Sequence, residues 1–241
     1  MHELKKLSII IPVFNEENTI FDLLKKVDEI KLDNDVEKEV IIVNDASSDG
    51  SFDKIKDFLN SYQTSNTILL NHKINQGKGA GIHTGLKAAT GDWIVIQDAD
   101  LELDPNDLNV LMNPIFEKKM EVVYGSRFLD KTNKPGGSFL ARQANLFLTW
   151  LSNVVFRIKI TDMETCYKMV RADLFKGLDL REQRFGFEPE ITAKLAKIKG
   201  VRFQEVPITY NARMASEGKK IGWKDGVRAM YCIIKYGWFS K

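Results

Sequence analysis

The chain has 241 residues, 44% apolar and 28% charged, enough to bury a large core and unlike a disordered or fibrous sequence. Its 35 Lys and Arg against 33 Asp and Glu leave a net charge of +2 spread along the chain, without the concentrated basic stripe that nucleic acid calls for. No stretch approaches the ~20 apolar residues of a membrane-spanning helix.

The first residues lead straight into a strand-like run, so no secretory signal is expected. Cys166 and Cys232 are too few for a disulfide framework and too far apart for a CxxC pair, which points to a reduced, cytoplasmic setting.

A β-branched apolar run at residues 7–13 predicts a buried parallel strand that ends in Phe14-Asn-Glu16. Ile20, Leu23, Leu24, Val27 and Ile30 then recur at helical spacing. A second strand at 39–43 opens into Asn44-Asp-Ala-Ser-Ser-Asp-Gly50, and the helix after it carries Phe52, Ile55 and Phe58. A third strand at 67–70 leads to Asn75-Gln-Gly-Lys-Gly-Ala-Gly81 and a helix for which Gly91 supplies a left-handed cap. The strand at 93–97 runs into Asp98-Ala-Asp100. Pro105 opens the following helix as a first-turn proline. A fifth strand at 121–124 ends at Gly125-Ser-Arg127.

Strands alternating with helices predict an α/β fold built on a doubly wound, mostly parallel sheet, which binds ligands beyond the carboxyl ends of its strands. The polar clusters at 14–16, 44–50, 75–81, 98–102 and 125–127 all fall there, so they are expected to meet in one crevice.

Beyond residue 128 the pattern changes. A polar loop at 131–137 is followed by a helix at 139–156 with a broad apolar surface, either buried or lying in a lipid headgroup layer with Arg142 and Arg157 near its ends. The loop at 162–168 enters a strand at 167–170. A helix reaching residue 199, a strand at 201–206 and a last helix at 227–236 complete the chain.

Side chains two apart on a strand share a face, so Asp98 and Asp100 are expected to aim at one hard cation such as Mg²⁺ or Mn²⁺ beside a substrate phosphate. Gly77 and Gly79 would let backbone approach a ligand closely, and Lys78 would neutralise a phosphate. The spacing and position of these glycines do not match a dinucleotide fingerprint. Glu16 is suited to ribose hydroxyls and Asp45 to the N–H of a base, with helix capping as the structural alternative.

Ile10-Ile-Pro-Val-Phe-Asn-Glu16, Asn44-Asp45, Asn75-Gln-Gly-Lys-Gly79, Asp98-Ala-Asp-Leu101 and Gly125-Ser-Arg127 stand in the order seen in family 2 inverting glycosyltransferases. Arg142-Gln-Ala-Asn145, Pro207-Ile-Thr-Tyr210 and Arg213 with Lys219-Lys220 resemble the polyprenyl-phosphate sugar synthases of the dolichol-phosphate mannosyltransferase type. The resemblance implies a GT-A fold over residues 1–241, with a nucleotide-sugar half at 1–128 and an acceptor half at 129–241. It implies a UDP- or GDP-linked sugar donor, held by Pro12, Phe14, Glu16, Asp45, Gly77, Lys78 and Asp98. Asp98, Asp100 and Glu102 match the Mg²⁺ or Mn²⁺ site, where Glu102 replaces the usual Gln and Asn44 the first Asp of the usual pair. Arg127, Arg142, Arg213, Lys219 and Lys220 match positions that receive the phosphate of a polyprenyl lipid.

The resemblance also implies attachment to the cytoplasmic face of a membrane, directly or through a membrane-embedded partner, since no C-terminal membrane helix is visible. Asp98, Asp100 and Arg127 are the expected catalytic groups. If the acceptor were a saccharide hydroxyl, a carboxylate base would be needed, and Glu188 and Glu190 are its candidates. A non-catalytic binding module on the same fold is the remaining alternative.

Overall fold

The computed structural model describes residues 3–62, 66–130, 139–212 and 223–239, with Phe139 and Trp223 described in backbone only. Seven strands form one sheet in the order β3-β2-β1-β4-β6-β5-β7. They are β1 (Lys6–Val13), β2 (Glu37–Asn44), β3 (Thr67–Asn71), β4 (Trp93–Ile96), β5 (Val122–Ser126), β6 (Lys168–Arg171) and β7 (Phe203–Pro207). All pairings are parallel except those of β6, which runs antiparallel to β4 on one side and β5 on the other.

Consecutive residues of β1 from Leu7 to Val13 are buried, as are all four of β4, so both faces of the sheet centre are covered. That is why these strands read as continuous apolar runs and not as alternating ones. The helices are α1 (Ile20–Glu29), α2 (Ser51–Ser61), α3 (Lys78–Ala88), α4 (Asp107–Lys118), α5 (Phe139–Phe156), α6 (Ala172–Gly177), α7 (Phe187–Ala196) and α8 (Trp223–Ile234), the last followed by a π-helical turn at Lys235–Phe239. The halves on either side of residue 128 share the sheet, because β6 of the second lies between β4 and β5 of the first.

From β1 the chain steps outward through β2 to β3, then returns to place β4 on the other side of β1. The crevice beyond β1 and β4 is therefore a topological switch point, where neighbouring loops part and leave room for a ligand.

Two local expectations change. Gly91 has no left-handed backbone; a Cβ there would lie 2.7 Å from Ser8 Oγ, so glycine serves close approach to β1. Pro105 precedes α4, which begins at Asp107. The loop at 131–137 lies outside the described residues.

The long helix at 139–156 forms as expected. Leu148, Thr149, Ser152 and Val155 are buried, while Leu140, Phe147, Trp150 and Val154 stay exposed along one side. Among the described residues, no helix is long and apolar enough to cross a membrane.

Candidate active site

A cavity of about 380 Å³ opens at the switch point. Pro12, Phe14 and Glu16 enter it after β1, Asp45 after β2, Asn75, Gly77 and Lys78 after β3, Asp98, Asp100 and Glu102 after β4, and Arg127 after β5. Glu164, Cys166, Arg184, Glu188 and Tyr210 line its remaining wall. A second depression of about 460 Å³, lined by Glu3, Lys5, Asp92 and Arg171, lies at the opposite end of β1 and β4, away from these groups.

β4 ends at Ile96, so Asp98 and Asp100 lie beyond the strand, Asp100 in a bend. Asp98 Oδ1 lies 2.8 Å from Lys78 Nζ. Burial pushes the Asp98 carboxyl up, but Lys78 and Arg127 outweigh it and hold it below the ordinary carboxylate range. Burial likewise works to lower the Lys78 pKa, and Asp98, Cys166 and Glu188 overcome it, so the ammonium is held well above its usual value.

Asp100 Oδ1 accepts the Glu102 backbone N–H at 3.1 Å, and Glu102 Oε2 accepts the Tyr210 hydroxyl at 3.1 Å. Among the described residues, no three His, Cys, Asp or Glu side chains are gathered as a metal cluster. Asp98, Asp100 and Glu102 thus line one cavity, each with one carboxylate oxygen engaged by the protein.

Asp45 also organises the loop that follows β3. Its carboxylate pairs with His72 Nδ1 at 2.7 Å and accepts from Asn75 Nδ2 at 2.8 Å and the backbone N–H groups of Gln76 and Gly77 at 2.9 and 2.6 Å. These bonds fix the glycine loop, and Asp45 at the same time lines the cavity. Gly77 has φ +100°, and a Cβ there would lie 2.6 Å from the Gln183 carbonyl oxygen; a Cβ on Gly79 would strike the Glu182 carbonyl oxygen. They admit close approach of the chain's own segment 182–184, which Ala80 N–H ties down by donating to Gln183 O at 3.0 Å.

Arg127 donates from Nε and Nη2 to the two oxygens of Asp162 at 2.7 and 2.8 Å, a bidentate pair that fixes the guanidinium plane. Burial opposes the charge, but Asp162 outweighs it and raises the Arg127 pKa. The guanidinium also lies 5.1 Å from the Tyr210 ring. Arg142 is exposed in the first turn of α5 and does not line the cavity. Arg213, Lys219 and Lys220 lie outside the described residues.

Of the two candidate bases, Glu188 faces the cavity, with Oε2 2.7 Å from Lys168 Nζ and Oε1 3.2 Å from Lys78 Nζ. Glu190 is fully buried and accepts from the backbone N–H groups of Arg181 and Glu182 and from Lys194, so it is structural.

Glu164 was not singled out from the sequence. It lines the cavity with Oε1 buried and lacking a hydrogen-bond partner. Burial and neighbouring Glu188 push its carboxyl up to about 7, against the pull of Lys168 and Arg127. A signal for it existed: Asp162-x-Glu164 repeats the spacing of Asp98-x-Asp100. It precedes a strand where the other pair follows one, and only the antiparallel run of β6 brings both to the same edge.

The glycosyl transferase family 2 model matches residues 8–178, and the chain belongs to that family. The chain is 28% identical over 228 residues to a dolichyl-phosphate beta-glucosyltransferase of Trichomonas vaginalis, covering 90% of this chain and 69% of that protein. It is 24% identical over 208 residues to a dodecaprenyl-phosphate galacturonate synthase of Rhizobium johnstonii, covering 86% of this chain and 60% of that one. Its fold is that of GT-A glycosyltransferases. It superposes on glucosyl-3-phosphoglycerate synthase from Mycobacterium tuberculosis, solved with Mn²⁺, uridine diphosphate and phosphoglyceric acid, with a TM-score of 0.73 at 14% identity, covering 97% of this chain and 79% of that one.

Proposed function

We propose that this glycosyltransferase moves a sugar, with inversion, from a nucleotide-sugar to a polyprenyl phosphate, with Mg²⁺ or Mn²⁺ as cofactor. The observation that carries this is that Asp98, Asp100 and Arg127 line one cavity at the β1/β4 switch point. Relatives named for dolichyl and dodecaprenyl phosphates support the lipid acceptor, and they differ in whether the sugar carries a carboxylate.

Asp98, Asp100 and Glu102 offer only oxygen donors, the chemistry a hard divalent ion prefers, so the set fits such an ion. When bound, the ion would offset charge on the departing nucleoside diphosphate. Lys78, already in the cavity on Asp98, would neutralise a phosphate oxygen of the donor. Arg127, oriented by Asp162, would present its guanidinium to the acceptor phosphate. Arg142, Arg213, Lys219 and Lys220 remain proposed contacts for that phosphate.

A phosphate monoester with its second pKa near ~6 is largely dianionic at neutral pH, so its oxygen attacks the anomeric carbon as the bond to the diphosphate breaks, without a protein base. Residues 1–128 then serve the donor, apart from Arg127 at their end, which turns to the acceptor with residues 129–241. Exposed Leu140, Phe147, Trp150 and Val154 on α5, with Trp238 and Phe239 in the last turn, would rest on the cytoplasmic face of a membrane. Sedimentation with anionic liposomes tests that placement; protein left in the supernatant counts against it.

The function is tested with Mn²⁺ or Mg²⁺, radiolabelled UDP- and GDP-sugars and polyprenyl phosphate. Label should enter the organic phase, and Asp100→Ala should abolish it. Transfer to soluble saccharides instead would make the acceptor a hydroxyl and Glu188 the base to examine.

A further inference from the structure

Lys78 is the first residue of α3, set directly after the glycine turn whose Gly77 has φ +100°. Its Nζ lies 2.8 Å from Asp98 Oδ1 and 3.2 Å from Glu188 Oε1. The second contact is the looser one, since Glu188 Oε1 makes no hydrogen bond and the other Glu188 oxygen is taken by Lys168 at 2.7 Å. The ammonium therefore leans on Asp98. That contact is open to the cavity: the Asp98 side chain is 29% exposed and that of Lys78 19%, against 6% for Glu188.

Asp98, Asp100 and Glu102, the carboxylates proposed to hold a divalent ion, are engaged differently. Asp100 accepts a backbone N–H and Glu102 the Tyr210 hydroxyl, neutral donors that leave the carboxylate charge in place. Asp98 carries a full positive charge on one oxygen. Two cations drawn to the same carboxylate repel each other at close range, and in a partly buried site that repulsion is only weakly screened. While Lys78 stays on Asp98, an ion entering the set meets a carboxylate already neutralised. A diphosphate changes the balance, because its oxygens offer the ammonium another anion within the same cavity.

Resting on the reading of this cavity as a nucleotide-sugar site with a divalent ion, we propose that Lys78 is a resident counter-cation. It competes with the ion for Asp98 before a nucleotide binds, and releases that carboxylate when a nucleoside diphosphate takes its ammonium. Charge is matched in both states, since Lys78 neutralises Asp98 at first and a phosphate oxygen afterwards. The lysine moves between anions that it meets in one cavity, and Glu188 lies beside it as a further anion. Ion and nucleotide binding are then linked through one side chain, each tightening the other by the same factor.

The test measures Mn²⁺ binding without nucleotide, by electron paramagnetic resonance of the free ion, and UDP and GDP binding by calorimetry in saturating Mn²⁺. Lys78→Met should bind Mn²⁺ alone about tenfold more tightly than the wild type, and the nucleotide that binds about tenfold less tightly. Lys78→Gln, a second neutral variant, should move both constants in the same directions. Lys78→Arg, which keeps the charge, should leave Mn²⁺ affinity within about threefold of the wild type. Adding Asp98→Asn to Lys78→Met should remove the gain in Mn²⁺ affinity. A side chain that merely supported the fold would weaken both ligands when removed. Mn²⁺ affinity unchanged or lowered in the neutral variants overturns the proposal, even if nucleotide binding falls. If neither UDP nor GDP binds the wild type, the nucleotide-sugar reading itself has failed, and this inference falls with it.

Discussion

Lys168→Met offers the sharpest test of how the cavity wall is held together. Lys168 is wholly buried at the start of β6, donating to the Thr165 carbonyl and pairing with Glu188 Oε2 at 2.7 Å. Methionine fills the space and removes the charge, leaving Glu188 dependent on Lys78, which is shared with Asp98. Breaking one side of a buried ion pair costs about 3–5 kcal/mol, and the remaining Lys78 contact argues for the lower end, ~3 kcal/mol. With 241 residues at ~2.1 cal/mol/K each, the unfolding entropy is ~0.5 kcal/mol/K, so the expected fall in Tm is ~6 °C.

Thermal melts by circular dichroism, with urea unfolding of Lys168→Met, Glu188→Gln and the double variant, complete the cycle. Each single variant strands the other partner's charge, so the double variant should be ~2 kcal/mol more stable than the summed single losses predict. A loss below ~1 kcal/mol for Lys168→Met, or a coupling near zero, would refute the account of the wall as a linked chain of charges.

Two further outcomes are expected. The buried Glu39 carboxylate accepts from Ser8 Oγ at 2.5 Å and from Thr90 N–H and Oγ1 at 2.8 and 2.5 Å, with Lys6 3.1 Å away. Burial pushes its pKa up, but these partners outweigh it and bring the carboxyl down to about 2 from 4.5. The folded pKa is depressed, so the stabilisation is present above the unfolded value near 4.5 and is lost as pH falls through about 2, amounting to ~3 kcal/mol. Glu39→Gln should flatten that acid limb in urea titrations between pH 5 and about 2, and an unchanged slope would contradict the assignment. Gly79→Ala would drive a methyl group into the Glu182 backbone carbonyl, which cannot swing aside as a side chain can. The expected cost is about 1–3 kcal/mol in urea unfolding, together with weaker nucleoside diphosphate binding as the 182–184 segment shifts; wild-type behaviour in both would show that the glycine is dispensable.

The sequence alone determined the architecture of the first half and the edge at which function gathers. Runs such as Leu7–Val13 declare a strand covered on both faces, and each is followed by polar residues, so the crevice follows from local pattern and the general rule for parallel sheets. Ordered motifs carried the family in the same way, because each is a short contiguous stretch whose chemistry is local.

What only the tertiary structure decided is who meets whom. Asp45 has the composition of a ligand-binding carboxylate, and only the fold shows that the loop at 72–77 also turns back onto its oxygens. Gly77 and Gly79 look made for a phosphate, and the structure shows that they also admit the segment at 182–184, more than a hundred residues away in the chain. Glu188 and Glu190, two apart in sequence, differ in fate because successive helical positions point in different directions: one into the cavity, the other into a cage of donors. Glu164 reaches the site because β6 inserts antiparallel between β4 and β5. Strand direction is set by which long-range pairings bury the most apolar surface with every backbone group bonded, a property of the assembled sheet that no single stretch of sequence carries.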